Sequence, residues 1–318
     1  PRTSDGTSLD PQLHGLSLFR RLIPLRWVLG QQLVSSRLLG RYALWFIEED
    51  TPPVSHVFER VIDGYLRVRI YSPEPKKDLP GCVFFHGGGF VIGNLETHDS
   101  FCHRLAREGR CHVISVDYRL APEYPFPAPV RDAERAFQWV LENGEQLGIN
   151  YTHLGVAGDS AGGTLATVLC QTRLFGDERP PDFQFLLYPK TDNVRNYPSR
   201  ELASENLFLN WESVEWFTEQ YLSGPCVTPD TDHRLSPIHF NQLDKMPETL
   251  LVSAGFDPLR DESEAYAQRL KDNGVRVKQR RYGRLCHGFI NLCGIVDRAR
   301  EATLETINTF REVIADNS

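Results

Sequence analysis

Residues 153–163 read His153-Leu154-Gly155-Val156-Ala157-Gly158-Asp159-Ser160-Ala161-Gly162-Gly163. The apolar run His153 to Ala157 has the length and character of a buried strand, and the small residues from Ala161 onward have those of a helix. Between them stands Ser160, with a glycine two residues before it and another two residues after. A serine on so tight a turn has a strained backbone and an exposed hydroxyl. The glycines remove Cβ atoms that would collide where strand and helix nearly touch. This is the sequence form of a nucleophile elbow, and Ser160 is the candidate nucleophile.

A chain of this length contains G-x-S-x-G by chance on the order of one time in ten at ordinary glycine usage, so the company it keeps decides. Upstream, His86-Gly87-Gly88-Gly89-Phe90 follows the apolar run Cys82 to Phe85, where backbone N–H groups can be aimed at a developing oxyanion. Downstream, Asp257 follows the apolar run Thr249 to Ala254, and His287 follows the alternating run Val275 to Tyr282. The order serine, acid, histidine is the one expected of an α/β-hydrolase. Asp261 competes with Asp257 for the acid. Asp257 is preferred because it comes directly after the strand, whereas Asp261 falls on the helix that follows.

The wider pattern agrees. Val57 to Ile62 and Leu66 to Tyr71 alternate around Asp63-Gly64, a hairpin signal. From Cys82 onward strand-like and helix-like runs take turns: strand to Phe85, helix Thr97 to Glu108, strand Cys111 to Val116, helix Pro129 to Leu147, strand to Ala157, helix to Phe175, strand Phe183 to Leu187. Such alternation predicts an α/β fold, a mostly parallel sheet with helices on both faces and ligands at the carboxyl ends of the strands. Residues 1–50 carry leucines and arginines at helical spacing and read as two or three amphipathic helices, which the family resemblance given below makes N-terminal cap helices. The catalytic domain is then 51–318, with a cap insertion at about 193–237 that brings Phe208, Trp211, Trp216, Phe217 and Tyr221 over the strand ends.

Composition narrows the partners. With 318 residues, 41% hydrophobic content and a formal charge of −7, the chain can bury a large core and is a poor match for nucleic acid. Seven cysteines without a C-x-x-C pair, with Cys82, Cys111 and Cys170 read as lying in apolar strands, suggest reduced packing residues and a cytoplasmic location. Trp27 to Ser36, the longest uncharged apolar window, is far short of the roughly 20 residues a bilayer needs, so no integral membrane segment is expected. A segment ahead of Pro1 and a homodimer are both left open. Asn150-Tyr151-Thr152 is a glycan acceptor triplet placed just before a core strand, a poor position for one.

Taken together, His86-Gly87-Gly88-Gly89, Asp117-Tyr118-Arg119-Leu120-Ala121-Pro122-Glu123, Gly158 to Gly163, Asp257-Pro258-Leu259-Arg260-Asp261-Glu262 and His287-Gly288-Phe289 resemble the hormone-sensitive-lipase-like family of α/β-hydrolases, bacterial esterase family IV. The resemblance spans about residues 80 to 290. It implies the α/β-hydrolase fold with a helical cap, catalytic Ser160, Asp257 and His287, and an oxyanion hole made by the N–H groups of Gly88, Gly89 and Ala161. It also implies serine carboxylesterase activity on small uncharged short-acyl or aryl esters, with no cofactor. The segment Tyr282 to Cys286 lacks the proline-glycine turn common in bacterial members, a departure that bears on specificity.

Other readings are weighed beside this one. The same triad can serve an amide deacetylase or a lactonase. A non-catalytic small-molecule receptor on the same fold is disfavoured by the presence of His287. His98, Cys102, His103, Cys111 and His112 could suggest a metal site, but the chemistry needs none and such a scatter reads as packing. His86 reads as a brace for its loop, without contact to substrate.

Overall fold

The computed structural model describes residues 3, 6–20, 51, 53–74, 78–176, 178–202, 209–226 and 228–316. Its centre is a sheet whose strands, among these residues, are β1 (His56–Ile62), β2 (Leu66–Ser72), β3 (Leu79–Phe85), β4 (His112–Asp117), β5 (Ile149–Asp159), β6 (Phe183–Leu187), β7 (Glu248–Phe256) and β8 (Val277–Cys286). Their spatial order is β1-β2-β4-β3-β5-β6-β7-β8. The first two pair antiparallel, β2 joins β4 antiparallel, and every later pair is parallel. The hairpin turns at Asp63 and Gly64, both at positive φ, as its Asp-Gly pair requires.

Strand alternation sorts the core. Val83 and Phe85 face one side and Cys82 and Phe84 the other, all four fully buried, because successive side chains of a strand point to opposite faces. On the first face pack α3 (Ala128–Asn143), α4 (Ala161–Phe175) and α6 (Arg260–Asp272), through Phe137, Leu165 and Tyr266. On the second lie α1 (Pro11–Arg20), α2 (Asp99–Gly109) and α7 (Asp297–Asp316), through Leu13, Phe101 and Phe310. Each large apolar side chain so enclosed contributes about 1.5–3 kcal/mol over its exposed state. Helices thus clothe both faces of a mostly parallel sheet, as the alternation predicts. The remaining labelled helix, α5 (Trp211–Tyr221), lies in the 193–237 insertion.

Several boundaries differ from the sequence reading. β5 begins at Ile149, not His153. Its register against β3 jumps between Pro80 and Gly81, from Asn150 to Leu154, so residues 151–153 bulge out of the ladder. The glycan triplet sits in this bulge, where the Asn150 side chain accepts from Thr152 N at 3.0 Å and Thr152 Oγ1 at 2.6 Å. Cys170 belongs to α4, and Cys111 falls one residue before β4. None of the seven cysteines is in a disulfide, and all but Cys226 are buried. Within residues 1–50, Asp10, just ahead of α1, donates its N–H to Arg284 O of β8 at 3.0 Å. Residues 21–50, and with them the Trp27 to Ser36 window, lie outside the described residues. Among the described residues, no helix is long and apolar enough to cross a membrane.

Candidate active site

Ser160 ends up at the junction of β5 and α4 with φ 53° and ψ −121°, a conformation costly for any residue with a Cβ. The turn survives because its neighbours leave no room for anything else. A Cβ on Gly158 would stand 2.3 Å from the Gly162 backbone, and one on Gly162 would stand 1.9 Å from Phe85 O. The first glycine therefore lets strand and helix touch, and the second lets the helix touch the end of β3. Ser160 N donates to Leu187 O at 2.8 Å, which ties the elbow to β6.

The strand ends bring the distant residues together. His287 Nε2 stands 2.9 Å from Ser160 Oγ, and His287 Nδ1 stands 2.8 Å from Asp257 Oδ2. With Nδ1–H directed at the carboxylate, Nε2 is left as the acceptor facing the serine hydroxyl. Asp257 is fully buried and its other oxygen accepts from Leu259 N at 2.8 Å. A shift of register between β7 and β8 sets this geometry: a Cβ on Gly255 would stand 2.0 Å from Gly283 O. Asp261 lies elsewhere. Its carboxylate accepts from Ser199 N and Arg260 Nε, each at 2.8 Å, and so clamps the base of the insertion beside Glu262, which accepts from Thr191 N at 2.9 Å.

The glycine loop lies alongside. Gly88 has φ 112°, Gly89 φ 62° and Phe90 φ 64°, and no acceptor among the described residues takes the N–H of Gly88 or Gly89. Ala161 is the first residue of α4, where a backbone N–H has no partner inside its own helix. The loop is held from behind. Tyr118 donates to His86 O at 2.7 Å, and its ring stacks on the His86 imidazole at 4.3 Å between centroids. Burial lowers the His86 imidazole to about 4, so the ring is neutral and its Nδ1–H donates to Gly87 O at 2.8 Å. His86 braces the loop, as the sequence suggested.

Above the loop lies α5. Phe217 rests on Gly89, Tyr221 stacks on Phe90 with ring centroids 3.9 Å apart, and Trp216 meets Phe217 edge-on at 5.2 Å. Trp211 turns away to hold the Arg200 guanidinium 3.8 Å from its ring, and Phe208 lies outside the described residues. Tyr188, at φ 39°, packs its ring 4.6 Å from that of His287. Ser160, Phe90 and Tyr188 are thus three of the five non-glycine residues at positive φ among those described, and all three touch this site.

Sequence reading passed over Tyr118, Tyr188 and Asp159 as functional residues, and took His98 for packing. One signal was available: a charged residue, Asp159, at the buried end of an apolar strand. Among the described residues no group of three or more His, Cys, Asp or Glu side chains gathers to hold a metal ion, and the scatter is spread over the turn before α2 (His98), α2 (Cys102, His103), the residue before β4 (Cys111) and the start of β4 (His112).

Known proteins resemble this arrangement. A family model described as the α/β-hydrolase fold matches residues 82–291. The chain is 37% identical to the carboxylic ester hydrolase LipN of Mycobacterium tuberculosis across 96% of this chain and 84% of that protein. It is 36% identical to an ethyl acetate hydrolase of Pseudomonas putida across 79% of this chain and 80% of that protein. Among solved structures, an α/β-hydrolase enzyme from the metagenome of Lake Arreo superposes with a TM-score of 0.90 at 38% identity, covering 96% of this chain and 99% of the other.

Proposed function

Because the chain belongs to the α/β-hydrolase-fold family, in its hormone-sensitive-lipase-like branch, and is a carboxylic ester hydrolase, we propose that Ser160, His287 and Asp257 carry the chemistry while Gly88, Gly89 and Ala161 stabilise the oxyanion. The observation that carries this reading is the unbroken relay from Ser160 Oγ through His287 to Asp257, at 2.9 and 2.8 Å, beside a loop with unclaimed N–H groups.

Ser160 Oγ attacks the ester carbonyl carbon while its proton passes to His287 Nε2. The carbonyl oxygen becomes an oxyanion facing the three N–H groups, whose fixed dipoles need no reorganisation as charge develops. The imidazolium, oriented by Asp257, returns the proton to the leaving alcohol as the carbon–oxygen bond breaks. Water then repeats the cycle on the acyl-enzyme, releasing the carboxylic acid and restoring Ser160.

The substrate is a small uncharged ester with a short acyl or aryl group, a reading supported by Phe217 and Trp216 crowding the loop from α5. In this reading the 193–237 insertion covers the site through α5, while α1 of the 1–50 segment packs against the sheet and residues 21–50 lie outside the described residues. Mostly buried cysteines outside any disulfide support a reducing compartment such as the cytoplasm, and the net charge of −7 supports a partner list without nucleic acid. An amide deacetylase or lactonase has no specific observation in its favour.

Replacing Ser160 by Ala tests the assignment. Turnover of p-nitrophenyl butyrate is expected to fall by about 10⁵-fold or more with an unchanged thermal midpoint; a substantial residual rate would refute it. A panel of p-nitrophenyl esters of rising acyl length, with an anilide and a lactone, tests the substrate class. The short esters should turn over fastest, and a preference for the anilide or lactone would overturn that part.

A further inference from the structure

Asp159 precedes the nucleophile and is buried, with a side chain only 4% exposed. It does not reach toward His287. Its Oδ1 accepts from Gly87 N at 2.7 Å, and His98 Nε2 stands 3.1 Å from the same oxygen. His98 is equally buried, and its Nδ1 is 2.9 Å from Thr97 Oγ1. Contact with the loop is close enough that a Cβ on Gly87 would stand 2.4 Å from Asp159 Oδ2. The strand register explains the meeting, since Phe85 pairs with Gly158 and so brings the residues following β3 beside those following β5.

We propose that Asp159, with His98 Nε2 beside its carboxylate, is a positioning residue for the oxyanion loop: one carboxylate, on the residue before the nucleophile, grips the residue before the first donor glycine. This side chain ties the elbow that carries Ser160 directly to the loop that carries the Gly88 and Gly89 amides. Both ends of that tie need fixing, because loop and elbow each adopt backbone conformations that relax elsewhere if released.

The choice of an acid follows from the strength of the grip. A carboxylate accepting a backbone N–H forms a shorter bond, roughly twice as strong as a neutral acceptor does. His98 Nε2, 3.1 Å from the same carboxylate oxygen, packs against the far side of the grip. Burial acts to raise the Asp159 carboxyl, but His98 and the Gly87 N–H outweigh it and hold the group below its ordinary range.

This inference rests on the reading of Gly88 and Gly89 as oxyanion donors. The test uses Asp159→Ala, Asp159→Asn and His98→Gln in the full chain, with p-nitrophenyl butyrate as substrate and a trifluoromethyl ketone as the probe of oxyanion stabilisation. Asp159→Ala should lower kcat by about 100-fold, the scale of losing one oxyanion donor, with KM within about threefold and ketone affinity weakened in proportion to kcat. Asp159→Asn keeps an acceptor oxygen and should stay within about tenfold of the parent. The acid limb of the pH–rate profile should not move.

Asn as damaging as Ala, a loss of kcat with ketone affinity intact, or a displaced acid limb would each overturn the proposal. Should Asp159→Ala fail to fold, His98→Gln carries the test alone: kcat and ketone affinity should fall together with KM held, and unchanged ketone affinity overturns it. An inactive Ser160→Ala beside an unimpaired Asp159→Ala sinks only this inference, whereas an active Ser160→Ala sinks the reading beneath it.

Discussion

Phe217 occupies the space that a side chain on Gly89 would need: a Cβ there would stand 2.4 Å from Phe217 Cγ. The insertion is therefore in van der Waals contact with the loop proposed to hold the oxyanion, and whatever moves α5 bears on the donors. Gly89 is doubly constrained, since its φ of 62° is itself unfavourable for a residue with a Cβ.

Gly89→Ala is accordingly expected to lower kcat by about 100-fold while KM changes little, because the displaced N–H serves the transition state and not ground-state binding. Adding Phe217→Ala should recover part of the loss by removing the collision while leaving the φ strain. Steady-state kinetics of the single and double variants decide it. If the double variant is no better than Gly89→Ala, contact with α5 does not control the donor.

The two neighbouring acids can be separated by a single pair of variants. Asp257→Asn should reduce kcat by about 10⁴-fold, because with the amide oxygen facing Leu259 N–H the NH2 group donates to Nδ1 and favours the wrong tautomer. Asp261→Asn keeps an acceptor for Ser199 N and loses only its ionic bond to Arg260. It should leave kcat within about fivefold and cost about 1 kcal/mol of stability. A larger kinetic loss at Asp261 would transfer the role.

The hairpin was readable because Asp63-Gly64 allows few other turns, and β6 because its apolar run is bounded by breakers on both sides. The serine, acid and histidine were readable because each follows a strand end, a position marked by local composition. What the sequence hid depends on register. The bulge at residues 151–153 interrupts the alternation and made β5 look shorter than it is. The grip of Asp159 on Gly87 exists only once β3 and β5 are paired. Phe217 reads as one aromatic on an amphipathic helix, and no periodicity says that the surface it covers is the donor loop. Asp261 and Glu262 likewise look like ordinary helix-start acids until the base of the insertion folds onto them.

Acid stability can be assigned to a group outside the site. Asp99 accepts from Arg69 Nη1 and Tyr71 Oη, each at 2.7 Å, and faces His103 Nε2 at 3.5 Å, joining β2 to α2. Burial acts to raise its carboxyl, yet the bonds from His103, Tyr71 and Arg69 prevail and hold it at about 2. A carboxyl depressed below its ordinary value near about 4 contributes stability that is fully present above that value and lost as pH falls through the folded-state value. With a third of the side chain exposed, solvent screening reduces the contribution to about 1–2 kcal/mol. The difference in unfolding free energy between the parent and Asp99→Asn, measured in urea, should therefore be about 1–2 kcal/mol at neutral pH and close between about pH 4 and pH 2. A gap of constant size across that window would mean that packing, and not ionisation, gives Asp99 its worth.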